Sequence, residues 1–346
     1  MRSLWFAGIA LAVACDSGAG LSSPGGPIAT PTSSSSSSGG PSKPGELPDD
    51  DGGGTEIPDP EGWGDPKTVR RPGKLRLEQL NVRRFFDTVC DSGAGTCPTD
   101  FEEQATQEAF DKRVNQLADG FIKVQADVIT LAEVEKQDCL VAVQKALKDK
   151  GFEYTVAYVA ETGGKGSVDT AVLARGKLDS VVNHRNEDPL PNGAGKFTRE
   201  FPEVHLTLGQ NKVIVFAGHF KSKSSPDDPE RRLGEAQNAH AIMTAVSAAN
   251  KDALVLFGGD LNDVPDSPPL KALEDDKKLL RVASDVASQG TYRFGGDDQP
   301  IDHLFVSKEH QDAYIAKSTT IVRDSTSSKG FAGSDHATIW ADFTLP

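Results

Sequence analysis

The sequence has no surplus of positive charge. Its 346 residues carry 37 Lys and Arg against 51 Asp and Glu, a formal net charge of -14 and an isoelectric point near 5.0. Non-specific affinity for nucleic acid comes mostly from phosphates neutralised by Lys and Arg, so attraction through a broad basic surface is excluded. A polyanionic substrate is not excluded, provided that a metal ion and a few local cations neutralise one phosphate. Beyond residue 14 no apolar run is long enough to span a bilayer. No internal repeat is present, and aromatic residues make up only 7% of the chain. Cysteine is sparse, with four residues that fit an exported protein.

What is present begins with MRSLWFAGIALAVA: one basic residue, a short apolar stretch and a small-residue end. This is a signal-peptide pattern over residues 1–15. Cys15 follows in AVACDSG, which resembles the lipobox of bacterial lipoproteins, although Ala12 departs from the leucine usual there. The resemblance implies an exported lipoprotein tethered to the membrane or cell surface through lipidated Cys15, and otherwise a periplasmic or secreted protein. Residues 16–66 are Ser, Gly, Pro and acid, with too little apolar area to offset ordering entropy, and read as a disordered tether. The folded domain is expected over 67–346. Cys90 and Cys97 flank DSGAGT and are expected to close a local disulfide; a metal site there is the weaker reading, since no histidine lies nearby. Cys139 reads as a packed small hydrophobe.

Along the domain, strand-like runs alternate with helical patterns. Strands are expected at 75–82, 127–135, 153–159, 168–174, 201–208, 213–220, 253–260, 302–307 and 337–343. Helices are expected at 110–125, 137–149 and 234–250. The alternation predicts an α/β layered protein with mixed sheets. Asn81, Glu133, His219, Asp260, Asp302 and Asp335–His336 each fall at or just beyond the end of an apolar run. Taken singly, each could cap a turn or face solvent. Together they describe a polar site built on a rigid sheet edge. In FGGDLNDVP the two glycines let backbone come close, and Asp260 and Asn262 fall on one side of an extended stretch. A hard oxygen cage, a base for water and donors for developing charge are the inventory of metal-assisted hydrolysis.

Seven motifs then occur in order: LNVRRFFD (80–87), ITLAEVE (129–135), SVDTAVLAR (167–175), VFAGHFKSK (215–223), GGDLNDVP (258–265), IDHLFVS (301–307) and SDHATIW (334–340). In these the chain resembles the endonuclease/exonuclease/phosphatase superfamily, DNase I-like, and most closely its exported bacterial nucleases. The resemblance implies a four-layer α/β sandwich, two mixed β-sheets flanked by helices, with the site at one edge. It implies Glu133 as the main ligand of Mg²⁺, or of another divalent cation such as Mn²⁺ or Ca²⁺, with Asn81 beside it and Asp335 contacting metal or water. It casts Asp260 as the group that orients and deprotonates water, and Asn262 as a phosphoryl-oxygen ligand. His336 would bond the scissile phosphate, oriented by Asp302. His219 would contact phosphate or assist the leaving oxygen, with Asp169 as its carboxylate partner. Ala132 departs from the glutamine common before the metal-binding glutamate. His303 should point to the opposite strand face, and His184, His205, His240 and His310 match no functional position. Lys221, Lys223 or Arg232 could add a phosphate contact, or their loop could simply be solvated.

The implied function is a metal-dependent phosphodiesterase, an extracytoplasmic nuclease acting as a monomer on DNA or RNA, with no protein partner. Two other readings fit the motifs: a phospholipid (sphingomyelinase-like) or inositol-phosphate hydrolase, and a non-catalytic surface lipoprotein on the same scaffold. Lipid-active relatives carry an exposed aromatic hairpin, and no aromatic cluster stands out in the sequence. A retired scaffold usually loses ligands, whereas every acid, amide and histidine of the set is present.

Overall fold

The computed structural model describes residues 73–92, 97, 102–282, 286, 289–294, 296–325 and 330–346. The expectations for 1–66, Cys15 included, lie outside the described residues. Along the chain come β1 (Lys74–Phe85), α1 (Gln107–Val124), β2 (Val128–Val134), α2 (Gln137–Asp149), β3 (Val156–Ala160), β4 (Asp169–Ala174) and β5 (Lys177–Asn183). There follow β6 (Pro202–Leu208), β7 (Asn211–His219), α3 (Asp228–Ala249), β8 (Ala253–Asp260), α4 (Pro268–Glu274) and β9 (Leu279–Arg281). The last are β10 (Tyr292–Phe294), β11 (Asp297–Gln299), β12 (Asp302–Ser307), β13 (Thr320–Val322) and β14 (Thr338–Thr344).

Two mixed six-stranded sheets result, in the orders β13-β14-β1-β2-β4-β3 and β5-β6-β7-β8-β12-β9, with β10 and β11 a separate hairpin. The strand patterns say why they stack. In ALVLF of β8, Leu254 and Leu256 join the apolar layer between the sheets, while Ala253, Val255 and Phe257 face the layer under α3 and α4. In β2, Val128 faces the other sheet while Ile129 and Leu131 face α1 and α2. A strand apolar on both faces must be covered on both. The outcome is the expected four-layer α/β sandwich, helices on sheet on sheet on helices. Each fully buried Leu, Val or Phe contributes about 1.5–3 kcal/mol to holding the layers together.

Helix α1 starts where Thr106 accepts a hydrogen bond from the Ala109 amide (3.2 Å) and stops at Gln125 in the left-handed region (φ 55°). Helix α3 begins at Asp228, six residues before the expected start at 234, because Pro229 sits in its first turn. There its missing N–H costs nothing and its φ suits the helix. Strand β5 was not anticipated: it is a largely exposed edge strand with no buried face to leave a pattern. The Cys90–Cys97 disulfide forms, and Cys139 is free and buried. Among the described residues no helix is long and apolar enough to cross a membrane.

The sheets converge at one edge. His219, Asp260 and Asp302 are direct register partners across β7, β8 and β12, and Asn81 pairs with Ala132 across β1 and β2. The glycine pair of GGD is what lets the sheets approach. A Cβ at Gly258 would collide with Thr130 Oγ1 of the facing sheet, and one at Gly259 would sit 2.7 Å from the Gly218 carbonyl oxygen. An alanine at either position would push the two sheets, or β7 and β8, apart.

Candidate active site

The edge opens into a cleft of about 460 Å³ lined by Asn81, Glu133, His219, Asp260, Asn262, Asp335 and His336, seven of the nine expected site residues. An eighth, Asp302, lies directly behind His336 and accepts from its Nδ1 at 2.8 Å. Asp302 is fixed in turn by the Thr291 hydroxyl, which accepts from its backbone amide.

Two bulges aim the carboxylate side of the cleft. The register of β1 shifts between Asn81 and Phe85, and that of β2 between Ala132 and Val134. Within them Arg83, Arg84 and Glu133 take φ values of 50°, 45° and 68°. Left-handed backbone at three non-glycine residues costs free energy that the surrounding structure must hold. The return is geometric: Asn81 Nδ2 donates to Glu133 Oε1 (3.0 Å) and the Arg84 amide donates to Oε2 (2.8 Å). Both oxygens therefore have donors although Ala132 replaces the usual glutamine. The half-buried Arg113 guanidinium locks the bulge by donating to the carbonyls of Val82 and Ala332.

Asp260 is the hub. Its Oδ1 accepts from the Asn262 amide (2.9 Å) and its Oδ2 from Asn81 Nδ2 (2.9 Å). The same Oδ2 lies 3.8 Å from His219 Nε2 and 4.0 Å from His336 Nε2. Burial and the Asp302 charge raise the Asp260 carboxyl to about 7. Burial alone would lower His336, but the Asp302 carboxylate at Nδ1, with Asp260 and Asp335 nearby, outweighs it and holds the ring up at about 9. His219 moves the other way. Burial, reinforced by Arg199, His336 and Lys221, drives it well below its ordinary value. One imidazole is thus a cation at neutral pH and the other is not.

The expected pairing of Asp169 with His219 does not form. Asp169 turns back on the preceding loop, accepting from Thr162 Oγ1 (2.9 Å) and Ser167 Oγ (3.2 Å), while His219 Nδ1 is buried with no partner. Asp169 opens β4 opposite Val134 in the first sheet and His219 ends β7 in the second, and the two hydroxyls of the preceding loop occupy both Asp169 oxygens. Of the loop cations, Arg232 is spent on Asp263 (3.0 Å) and the carbonyls of Lys221 and Ser222, so it holds the loop together. Lys221 bonds Ser224 and lies 3.4 Å from Asp228, and Lys223 lies 3.6 Å from Asp263. His303 points away from the cleft and bonds the Asp263 carbonyl (2.9 Å), the structural role expected of it.

Seven further lining residues had not been singled out as site residues, Arg199 and Tyr292 among them. Arg199 lines the wall beside His219 and holds Nη1 buried without a partner. It stands just ahead of β6, where KFTREF carries no strand periodicity to flag it. Tyr292 lays its ring on His336, centroids 4.7 Å apart.

The donor set also says where a divalent cation fits. At the cleft, Asp260, Asp302 and His336 bring potential ligand atoms within 4.8 Å of one another. His336 there is a protonated donor committed to Asp302, and a cationic ring repels a metal ion. Glu133, Asn81 and Asp335 instead offer hard oxygens on the open carboxylate side, the ligand type that Mg²⁺, Mn²⁺ and Ca²⁺ prefer.

Fold and site together define a sandwich enzyme class whose acids, amides and imidazoles meet at one end of two stacked sheets. The profile of the Endonuclease/Exonuclease/phosphatase family matches residues 79–336, and the chain belongs to that family of hydrolytic phosphodiesterases and nucleases. Solved structures with the same fold include truncated Caenorhabditis elegans TDP2, with 18% identity and a TM-score of 0.53 over 79% of this chain and 98% of that one. The human Nocturnin catalytic domain, determined with bound sulfate, has 15% identity and a TM-score of 0.54 over 80% of this chain and 95% of that one. An endonuclease/exonuclease/phosphatase protein of Beutenbergia cavernae has 20% identity and a TM-score of 0.52 over 80% and 72%. Comparison with curated proteins finds no match.

Proposed function

We propose that this protein is a metal-dependent nuclease that hydrolyses phosphodiester bonds of DNA or RNA outside the cytoplasm. One observation carries the reading. A cationic His336 and the Arg199 side chain line the same cleft as a carboxylate set, so phosphate-binding cations and water-activating acids converge on one space.

Glu133, Asn81 and Asp335 would hold the divalent ion, which when bound neutralises charge on the phosphate. Asp260 accepts the proton of the attacking water, its position fixed by Asn81 and the Asn262 amide. Water adds to phosphorus in line as the bond to the leaving oxygen breaks. His336 donates from Nε2 to a non-bridging oxygen while Asp302 holds Nδ1. Neutral His219 contacts phosphate as a hydrogen-bonding group rather than a charge. One amide hydrogen of Asn262 is held by the Phe220 carbonyl, which orients the other for an oxygen ligand. Export is supported by the Cys90–Cys97 disulfide, a bond that persists in oxidising compartments, and by the signal and lipobox-like pattern at Cys15.

The test is a substrate panel of supercoiled plasmid, single-stranded DNA, RNA and sphingomyelin vesicles, each with Mg²⁺ and with EDTA. EDTA-sensitive cleavage of nucleic acid supports the proposal. Hydrolysis confined to the vesicles contradicts it.

A further inference from the structure

Phe294 is 65% exposed, the most exposed of the large hydrophobic side chains among the described residues, and it lies two residues beyond Tyr292, which lines the cleft. Its ring stacks on Tyr292 with centroids 6.4 Å apart and 19° between planes. The Tyr292 ring in turn covers His336 at 4.7 Å. Three rings thus step from the imidazole that faces the phosphate to an aromatic surface open to solvent.

The step does not depend on Phe294 for its own stability. Arg293 and Asp298 are cross-strand partners in the β10–β11 hairpin and pair at 2.7 Å, and Arg323 ties Asp298 and the Gly290 carbonyl to the body. At its base Thr291 accepts from the Ile301 and Asp302 amides, and its carbonyl accepts from Ala337. The ring is therefore held out on a braced hairpin. One exposed ring, backed by Tyr292 and flanked by Arg293, Asp297 and Asp298, is too small and too polar a surface to anchor in lipid. It is the right size for one planar ring.

Resting on the nuclease reading, we infer that Phe294 is a stacking platform for the base of a nucleotide next to the scissile phosphate, and that the substrate is single-stranded nucleic acid. A duplex covers both faces of each interior base with its neighbours, so a base must be unstacked before the ring can take it.

The test uses the full chain with Mg²⁺ and single-stranded oligonucleotides containing one phosphodiester among methylphosphonate linkages. The base on either side of that bond is kept or replaced by an abasic residue. Removing a stacked base costs about five- to a hundredfold. Wild-type protein is expected to lose kcat/KM in that range on one abasic substrate, and to prefer the single strand over the same sequence in a duplex. Phe294→Ala should cleave the base-containing and abasic substrates alike, at the wild-type abasic rate, while Phe294→Trp restores discrimination. Thermal melts of both variants should match wild type, since the side chain is exposed. If Phe294→Ala discriminates as wild type does, or slows both substrates equally, the platform is refuted and the nuclease reading stands. If wild type cleaves no oligonucleotide but hydrolyses sphingomyelin vesicles, the nuclease reading itself falls, and a vesicle-specific defect in Phe294→Ala would make the ring a lipid contact.

Discussion

Replacing Asp302 with Asn isolates the electrostatic core of the site. Asp302 touches no solvent with its side chain and lies 2.8 Å from His336 Nδ1, so the substitution removes a charge without opening space. His336 is held at about 9 against an ordinary 6.5. That rise corresponds to about 3 kcal/mol in favour of the protonated ring. With the carboxylate gone, only Asp260 and Asp335 oppose burial, and the ring's pKa falls. The protonated fraction at neutral pH falls with it, and each unit by which the pKa drops below the assay pH costs about tenfold in rate. The same substitution relieves Asp260 of the Asp302 charge that helps raise it, so its pKa falls as well. Both limbs of the pH–rate profile therefore move to lower pH, and the variant recovers part of its activity near pH 5.5. The assay is kcat/KM for oligonucleotide cleavage from pH 5 to 10. The two limbs report the coupled Asp260–His336 system as a whole. An Asp302→Asn profile whose alkaline limb coincides with wild type would refute the argument.

Other predictions concern separate parts of the molecule. Arg199→Ala should lower kcat/KM about ten- to a hundredfold, the value of a charge-assisted hydrogen bond, with Lys intermediate and the melting temperature unchanged. Glu78 is fully buried with Oε2 unpartnered, and burial raises it from 4.5 to about 8 despite Thr338 and Arg76. Its ionisation therefore costs nothing below pH 4.5, and the cost grows as pH rises to 8, on the order of 4 kcal/mol. Glu78→Gln keeps an acceptor for Thr338 and should raise the melting temperature at pH 8 but not at pH 4.5. Replacing Cys90 and Cys97 by Ser releases a loop closed over a separation of seven residues and should cost about 2.5 kcal/mol in urea unfolding.

How much of this was legible in sequence follows from what each residue type does. ALVLFGGD announced a strand covered on both faces, and the polar residues closing such runs could only lie at a sheet edge, so Asn81, Glu133, His219, Asp260 and His336 were within reach. Arg199 was not, because a loop residue takes its place from the strands on either side. Asp169 misled because its motif fixed the strand but not the direction of its carboxylate, which the Thr162 and Ser167 hydroxyls decide. Tyr292 and Phe294 sit in a strand of three residues, too short for a period to show. The start of α3 was hidden by Pro229, which reads as a breaker unless the first turn is already known.

The central claim is that Asp260 activates water beside an ion held by Glu133, Asn81 and Asp335. The most direct measurement pairs Mg²⁺ binding by calorimetry with cleavage of single-stranded DNA for wild type, Glu133→Gln and Asp260→Asn. The account predicts that wild type binds and cleaves, Glu133→Gln loses ion affinity and activity together, and Asp260→Asn still binds Mg²⁺ while cleavage falls by at least about a hundredfold. A folded Asp260→Asn protein that cleaves at the wild-type rate, or a Glu133→Gln protein with unchanged ion affinity, would contradict it.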